Sequence, residues 1–274
     1  MDSAGVHVQL IGDGCRSPIL RLAMSGHSKW STIKRAKGIT DAKRGALFTK
    51  VAREISVAAR QGGGDPDANY RLRLAVEKAR SVNMPSDNIK RTIDKATGGG
   101  EADQYEEIVY EGYGPGGVAV LVEAQTDNRN RTAAEVRSMF TKSGGQLAGS
   151  GAVAWQFEPR GLISIPRDGG VEADDVALMA IDAGAEDVDT DDADTIEVYT
   201  SPADLEAVRK ALEGAGVPVE SAESTMVAKQ TVELDAHKAR QALRLVELLE
   251  DLDDVSRVTA NFDIPEELFA EVAG

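Results

Sequence analysis

The chain is poor in the residues that build most catalytic and metal centres. Its 274 residues include one cysteine, Cys15, and three histidines, His7, His27 and His237. A single thiol closes no internal disulfide. Imidazoles so far apart in sequence supply neither the paired ligands of a zinc site nor a His-based nucleophile system. Aromatic residues make up only 4% of the chain, and no apolar run approaches the ~18 residues that cross a bilayer as a helix. These shortages argue against a disulfide-stapled secreted domain and a membrane-spanning protein. They lead to the expectation of a reducing, cytoplasmic setting, with no membrane partner, no metal and no cofactor.

The chain does carry 42% hydrophobic residues, enough for a buried core and for two or three domains. It also carries a sharply divided charge. The formal total is -15, which by itself argues against a nucleic-acid partner. Yet residues 1 to 100 hold 18 Lys and Arg against 9 Asp and Glu, net +9, whereas residues 101 to 274 hold 13 against 37, net -24. With a Debye length of roughly 8 Å, the two ends act locally, so the basic front third is free to bind phosphate while the acidic remainder orients the contact.

Within the basic third, residues 24 to 38 form a cationic, glycine-containing arm with one tryptophan: His27, Lys29, Trp30, Lys34, Arg35 and Lys37, and not one acid. Cations without apolar periodicity can follow a phosphate backbone, and an indole can stack on a base or anchor to a partner. Residues 1 to 23, interrupted by Gly12, Asp13 and Gly14, are too broken for a signal peptide and too poor in arginine and serine for a transit peptide. They read as a disordered extension, with Met24 as the natural start.

Three amphipathic helices follow within a basic helical domain spanning 24 to 100. Leu47, Phe48, Val51 and Ile55 recur at three- and four-residue spacing over 41 to 61, before Gly62, Gly63 and Gly64. Lys43, Arg44, Lys50, Arg53 and Arg60 take its polar positions, as phosphate contacts or simply as a solvated face. Asp67 is placed to cap a second helix ending near Val82, and Pro85 opens a third that ends at Gly98.

After residue 100 the period shortens to two. Strands are expected at 105 to 113 and 118 to 124 around a Gly-Pro-Gly-Gly turn, then a helix at 131 to 142 and a strand at 153 to 157 containing the second tryptophan. Residues 159 to 228 read strand, helix, short strand, strand, helix, strand, a ferredoxin-like order. A helix at 236 to 250 and a strand at 255 to 262 return to complete the unit begun at 101 to 158. The expected fold class is therefore α+β: an N-terminal helical domain, then two interlocked α+β domains, with the ferredoxin-like one (159 to 228) inserted in the other (101 to 158 plus 229 to 274).

Four ordered motifs carry a family resemblance: Gly26-His27-Ser28-Lys29-Trp30, Met84-Pro85-Ser86-Asp87-Asn88-Ile89, Tyr110-Glu111-Gly112-Tyr113-Gly114-Pro115 and Thr126-Asp127-Asn128-Arg129-Asn130-Arg131-Thr132. Together they resemble the YebC/PmpR family from about Met24 to the C-terminus. The resemblance implies a helical domain followed by two interlocked α+β domains. It further implies regulation of gene expression through nucleic acid, since members are described as DNA-binding transcriptional regulators and as ribosome-associated factors that relieve stalling at proline-rich stretches. The mitochondrial counterpart is a translational activator.

A second candidate site lies at Asp127 to Thr132, between a strand and a helix. Backbone N–H groups at the helix start, with Arg129 and Arg131, would form an anion pocket for a phosphate. The alternative is that Asp127 or Asn128 caps the helix while the arginines pair with nearby acids. The glycine triplets at 62 to 64 and 98 to 100 lack a following Gly-Lys-Ser/Thr and serve as caps or hinges. The acidic run at 186 to 194 lacks the glycine and terminal glutamate of a calcium loop. No carboxylate spacing marks a catalytic pair, so a non-catalytic protein is expected, with ribosomal RNA or DNA, and the ribosome as a whole, as the candidate partners. Oligomeric state is open, a monomer being the simpler expectation. The competing readings are an acidic scaffold for a basic protein and an enzyme with an unrecognised carboxylate site.

Overall fold

The computed structural model describes residues 41–98, 105–190 and 194–264. The expectations for the extension at 1 to 23 and the arm at 24 to 38 lie outside the described residues. Helix α1 (Asp41–Gly62) presents Val51, Ile55, Ala58 and Ala59 to Leu72, Ala75, Val76 and Ala79 of α2 (Tyr70–Ser81) and to Ile89 of α3 (Ser86–Thr97). This i, i+3, i+4 spacing gives the helical unit a core of its own.

The cap of α2 differs from the expected one. Asn69, not Asp67, occupies the N-cap: its Oδ1 accepts from Leu72 N at 3.1 Å, while its Nδ2 donates to Ala58 O and Gly63 O at 2.8 Å each. An amide both caps and donates, so it also ties α2 back onto α1, which a carboxylate cannot do. At its other end α2 closes through Asn83, left-handed at φ 62°, with Met84 N donating to Ala79 O at 2.9 Å. The Met84-Pro85 step thus ends one helix with a buried methionine and starts the next.

Strands β1 (Glu106–Tyr113) and β2 (Ala119–Thr126) form a hairpin in register Glu106 to Thr126 and Tyr113 to Ala119. The turn uses Gly116 and Gly117 at φ 79° and 83°, which only glycine adopts without strain. Helix α4 (Arg129–Lys142) and the short edge strand β3 (Gln146–Leu147) follow. Gly112 has no room for a side chain, because a Cβ would meet the Phe140 ring at 2.5 Å.

The chain then builds the ferredoxin-like unit: β4 (Phe157–Pro166), α5 (Ala173–Asp182), β5 (Asp187–Asp189), β6 (Thr195–Thr200), α6 (Leu205–Gly214) and β7 (Ser221–Ala228). Its four strands lie in the antiparallel order β5-β6-β4-β7, with α5 and α6 sharing their apolar core. Strand β4 begins at Phe157, so the strand expected at 153 to 157 is replaced by a 3-10 turn at Ala154–Gln156. The reason is chemical: the N–H groups of Val153 and Ala154 bond to the Glu111 carboxylate rather than to a neighbouring strand.

Finally β8 (Val232–Glu233) pairs in parallel with β10 (Phe262–Asp263), while α7 (Ala236–Glu250) leads to β9 (Val255–Ala260), which joins β2. The sheet order β3-β1-β2-β9 shows the first unit completed only after the ferredoxin-like one is finished. Helices α4 and α7 cover this sheet through Val136, Phe140, Leu243, Val246 and Leu249. Buried Asn261 fastens the halves. Its Oδ1 accepts from Ala119 N at 2.7 Å and its Nδ2 donates to Gln156 Oε1 at 3.0 Å.

Candidate nucleic-acid interface

Two groups stand out among the described cations of the helical unit. One group stitches the three units together. Lys50 Nζ donates to Glu250 O, and Arg53 donates to Asp253 O at 2.7 Å, pairs with Asp254 at 3.4 Å and lies over the Tyr105 ring at 5.0 Å. Arg71 joins Glu54 at 2.9 Å and Glu107, clamping α1 and α2 to β1. Arg73 reaches Glu206 at 2.7 Å, and Arg209 returns from α6 to Glu77 at 2.7 Å. Lys50 and Arg53, read from the sequence as a polar helix face, are therefore turned toward protein.

The second group faces solvent. Lys78 and Arg80 on α2, and Lys90 and Arg91 on α3, are exposed and carry no ion pair among the described residues. Arg80 and Lys90 flank a cleft of about 280 Å³ that also takes in Ser86, at the start of α3, with Asp94 the one acid in its lining. Helix α3 is preceded by Pro85, which supplies no side-chain cap, and although Asp87 lies in its first turn, its positive dipole end at Ser86 shares the cleft with two cations. That combination suits an anionic oxygen. In the sequence these four residues do not stand out, because evenly spaced charges on a helix look like any solvated face.

The expected pocket at Asp127 to Thr132 is built differently. Asn128 caps α4, its Oδ1 accepting from Arg131 N at 3.1 Å. Arg131 spends its guanidinium on Asp127 at 2.8 Å and Asp254 at 2.7 Å, while exposed Arg129 lies 3.6 Å from Glu106. Of the two readings left open by the sequence, the geometry realises the capped, ion-paired one. Asp254 is the hub. It is 4% exposed, and its Oδ2 also accepts from Thr126 Oγ1 at 3.0 Å and Thr132 Oγ1 at 2.7 Å.

Of the remaining candidates, His27, Lys29, Trp30, Lys34, Arg35 and Lys37 lie outside the described residues, and Lys43 and Arg44 fall in the first turn of α1.

Two family models cover nearly all of the described chain: the TACO1/YebC protein N-terminal domain matches residues 28–99, and the TACO1/YebC second and third domain matches 105–262. The chain belongs to the TACO1/YebC family. A relative from Rubrobacter xylanophilus is 58% identical over 92% of this chain and 100% of its own length, and is named a probable transcriptional regulatory protein. One from Roseiflexus castenholzii, with the same name, is 57% identical over 89% of this chain and 97% of its own. The crystal structure of a conserved hypothetical protein from Aquifex aeolicus matches with a TM-score of 0.77 at 49% identity, covering 82% of this chain and 93% of that one.

In this family member the clamp at Arg71 leaves a titratable signature. The hydrogen bond from Arg71 holds the Glu107 carboxyl down at about 2, against an ordinary 4.5. Burial alone would raise Asp254, yet Arg131, Thr132 and Thr126 carry it below its usual value. A carboxylate lowered on folding stabilises above its unfolded pKa and loses that contribution as pH falls through the folded one. The thermal midpoint should therefore fall as pH drops from about 4.5 toward 2. Glu107→Gln should flatten this pH dependence, and a variant curve parallel to the parent's would show that the clamp contributes nothing.

Proposed function

We propose that this member of the TACO1/YebC family is a non-catalytic, cytoplasmic regulator of gene expression that works by binding nucleic acid through its basic N-terminal third. The supporting observation is the segregation of charge. Open cations gather on α2 and α3, whereas residues 157 to 228 hold 4 Lys and Arg against 18 Asp and Glu, net -14. A phosphate backbone is drawn to the first surface and repelled by the second, which fixes the direction of approach. The names carried by the relatives support a regulatory role in transcription. Among the described residues no helix is long and apolar enough to cross a membrane.

For the target, we favour structured ribosomal RNA over operator DNA, with action on stalled translation. An acidic body of this size suits a large ordered partner that presents phosphate on one side and basic protein on the other. The test is titration of the full chain with ribosomes and with duplex DNA at several salt concentrations. Replacing Lys78, Arg80, Lys90 and Arg91 by alanine should lower the slope of log affinity against log salt by about 3 if each neutralises one phosphate. Unchanged slopes on both targets would refute this surface, and preference for duplex DNA would move the site of action to transcription.

A further inference from the structure

Trp155 is 68% exposed, in a chain with two tryptophans. The other large apolar residues left exposed among the described residues are Val109 on β1 and Leu178 and Ile181 on α5, all on other elements. Trp155 sits in the turn entering β4, far in sequence from the basic third. A tryptophan normally buries most of its large surface.

The ring is held in place by its surroundings. Its indole Nε1 donates to Ala152 O at 3.1 Å, a carbonyl that also accepts from Tyr113 Oη at 3.0 Å. The preceding backbone is fastened from below by Glu111, which is 5% exposed and accepts from Gly151 N at 2.6 Å, Val153 N at 2.7 Å and Ala154 N at 2.8 Å. Three charge-assisted bonds to one buried carboxylate fix the turn. With its N–H satisfied internally, the ring offers a ligand only its π face and edges. One cation stands beside it: Lys229 Nζ donates to Trp155 O at 3.0 Å. Gly149, Ser150 and Gly151, shortly before it in sequence, and Gln230, next to Lys229, are exposed and polar or without a side chain.

This setting selects among ligands. An apolar protein surface docks on several neighbouring exposed apolar side chains around a central anchor, whereas the apolar neighbours of this turn, Tyr113, Ala152, Ala154 and Met226, are partly buried against its core and no other large apolar side chain on this element is exposed among the described residues. A lipid surface would likewise ask for an apolar face. A flat ligand with polar edges and a phosphate attached needs only a fixed ring and a nearby cation. We propose that Trp155, positioned by the buried Glu111 carboxylate and flanked by Lys229, is a stacking platform for one unpaired base of single-stranded RNA. It is a second contact, apart from the basic third and just outside the acidic stretch of residues 157 to 228, which Trp155 and Lys229 flank in sequence. A base inside a duplex is already stacked on its neighbours, so the platform reads unpaired segments.

This inference rests on the nucleic-acid reading above, and the test separates the two. The full chain carrying Trp30→Phe leaves Trp155 as its one indole and is titrated with a short single-stranded oligoadenylate while tryptophan fluorescence and binding are followed together. Quenching should saturate with binding. Adding Trp155→Ala should weaken affinity roughly 5- to 150-fold with an unchanged salt slope, and Trp155→Phe should restore most of that affinity. Because the ring is exposed, the alanine variant keeps the fold, as its thermal midpoint will show. If the parent binds but its fluorescence does not move, or the alanine variant binds as tightly as the parent, the platform is refuted while the basic surface stands. If no form of the chain binds the oligoadenylate, the platform is refuted, and the nucleic-acid reading then stands or falls on the ribosome and duplex titrations alone.

Discussion

Asp254→Ala should destabilise the folded protein by about 3 kcal/mol, at the lower end of the range for removing one partner of a buried ion pair. The carboxylate is 4% exposed and serves Thr126, Thr132, Arg131 and Arg53 at once. Its removal leaves Arg53, only 11% exposed in its side chain, without that counterion. Two features keep the cost from the top of the range. Thr132 still reaches Asn128 O at 3.1 Å, and Arg131 keeps Asp127 and water. Asp254→Asn should cost less, because one oxygen remains to accept from the threonines. Urea unfolding at neutral pH reads both variants, and a destabilisation below about 1 kcal/mol for the alanine variant, the worth of one ordinary hydrogen bond, would show that the hub is not a structural junction. In the double variant with Arg131→Ala the effects should fall short of additivity, since the two residues touch.

The α+β class and the insertion were legible because the periods change where the architecture changes. Helical spacing runs through Val51, Ile55, Leu72 and Val76, a short β-rich run marks β1, and the strand and helix order from β4 to β7 is itself the ferredoxin-like signature. What stayed hidden depends on partners distant in sequence. Nothing near residue 155 reveals that Glu111, more than forty positions earlier, takes the N–H groups of Val153 and Ala154 and turns an apparent strand into a turn. Asp67 and Asn69 are both competent caps by type, and the choice is made by two carbonyls of α1 and its terminal turn that only an amide can serve. Likewise the sequence leaves Arg131 open between an anion pocket and an ion pair, because its partner, Asp254, lies beyond an entire inserted domain. Arg80 and Lys90 are inconspicuous for the opposite reason. Their significance comes from lacking ion-pair partners among the described residues, and unpaired charge has no sequence signature.

The arm ahead of α1 gives the largest effect expected on binding. Replacing Lys29, Lys34, Arg35 and Lys37 by alanine removes four cations and no acid. Each phosphate that is no longer neutralised should lower the salt slope by about 0.7 on single-stranded RNA, which for four phosphates is roughly a 10²-fold weaker affinity at physiological salt. The effect should be alike on all sequences, because phosphate contacts carry no base information. Trp30→Ala removes a stacking or anchoring term of about 1 to 3 kcal/mol, again a large weakening, but with the slope nearly unchanged. The two variants thus separate charge from stacking by slope alone. Combining the arm variant with Lys78→Ala, Arg80→Ala, Lys90→Ala and Arg91→Ala should add in slope if both surfaces follow the same backbone. No further fall would place them on different ligands. The functional counterpart is an in vitro translation assay on a proline-rich message, in which the arm variant should fail to relieve stalling. If it binds ribosomes and relieves stalling like the parent, the arm is not the working surface, and the cleft at Arg80 and Lys90 must carry the contact without it.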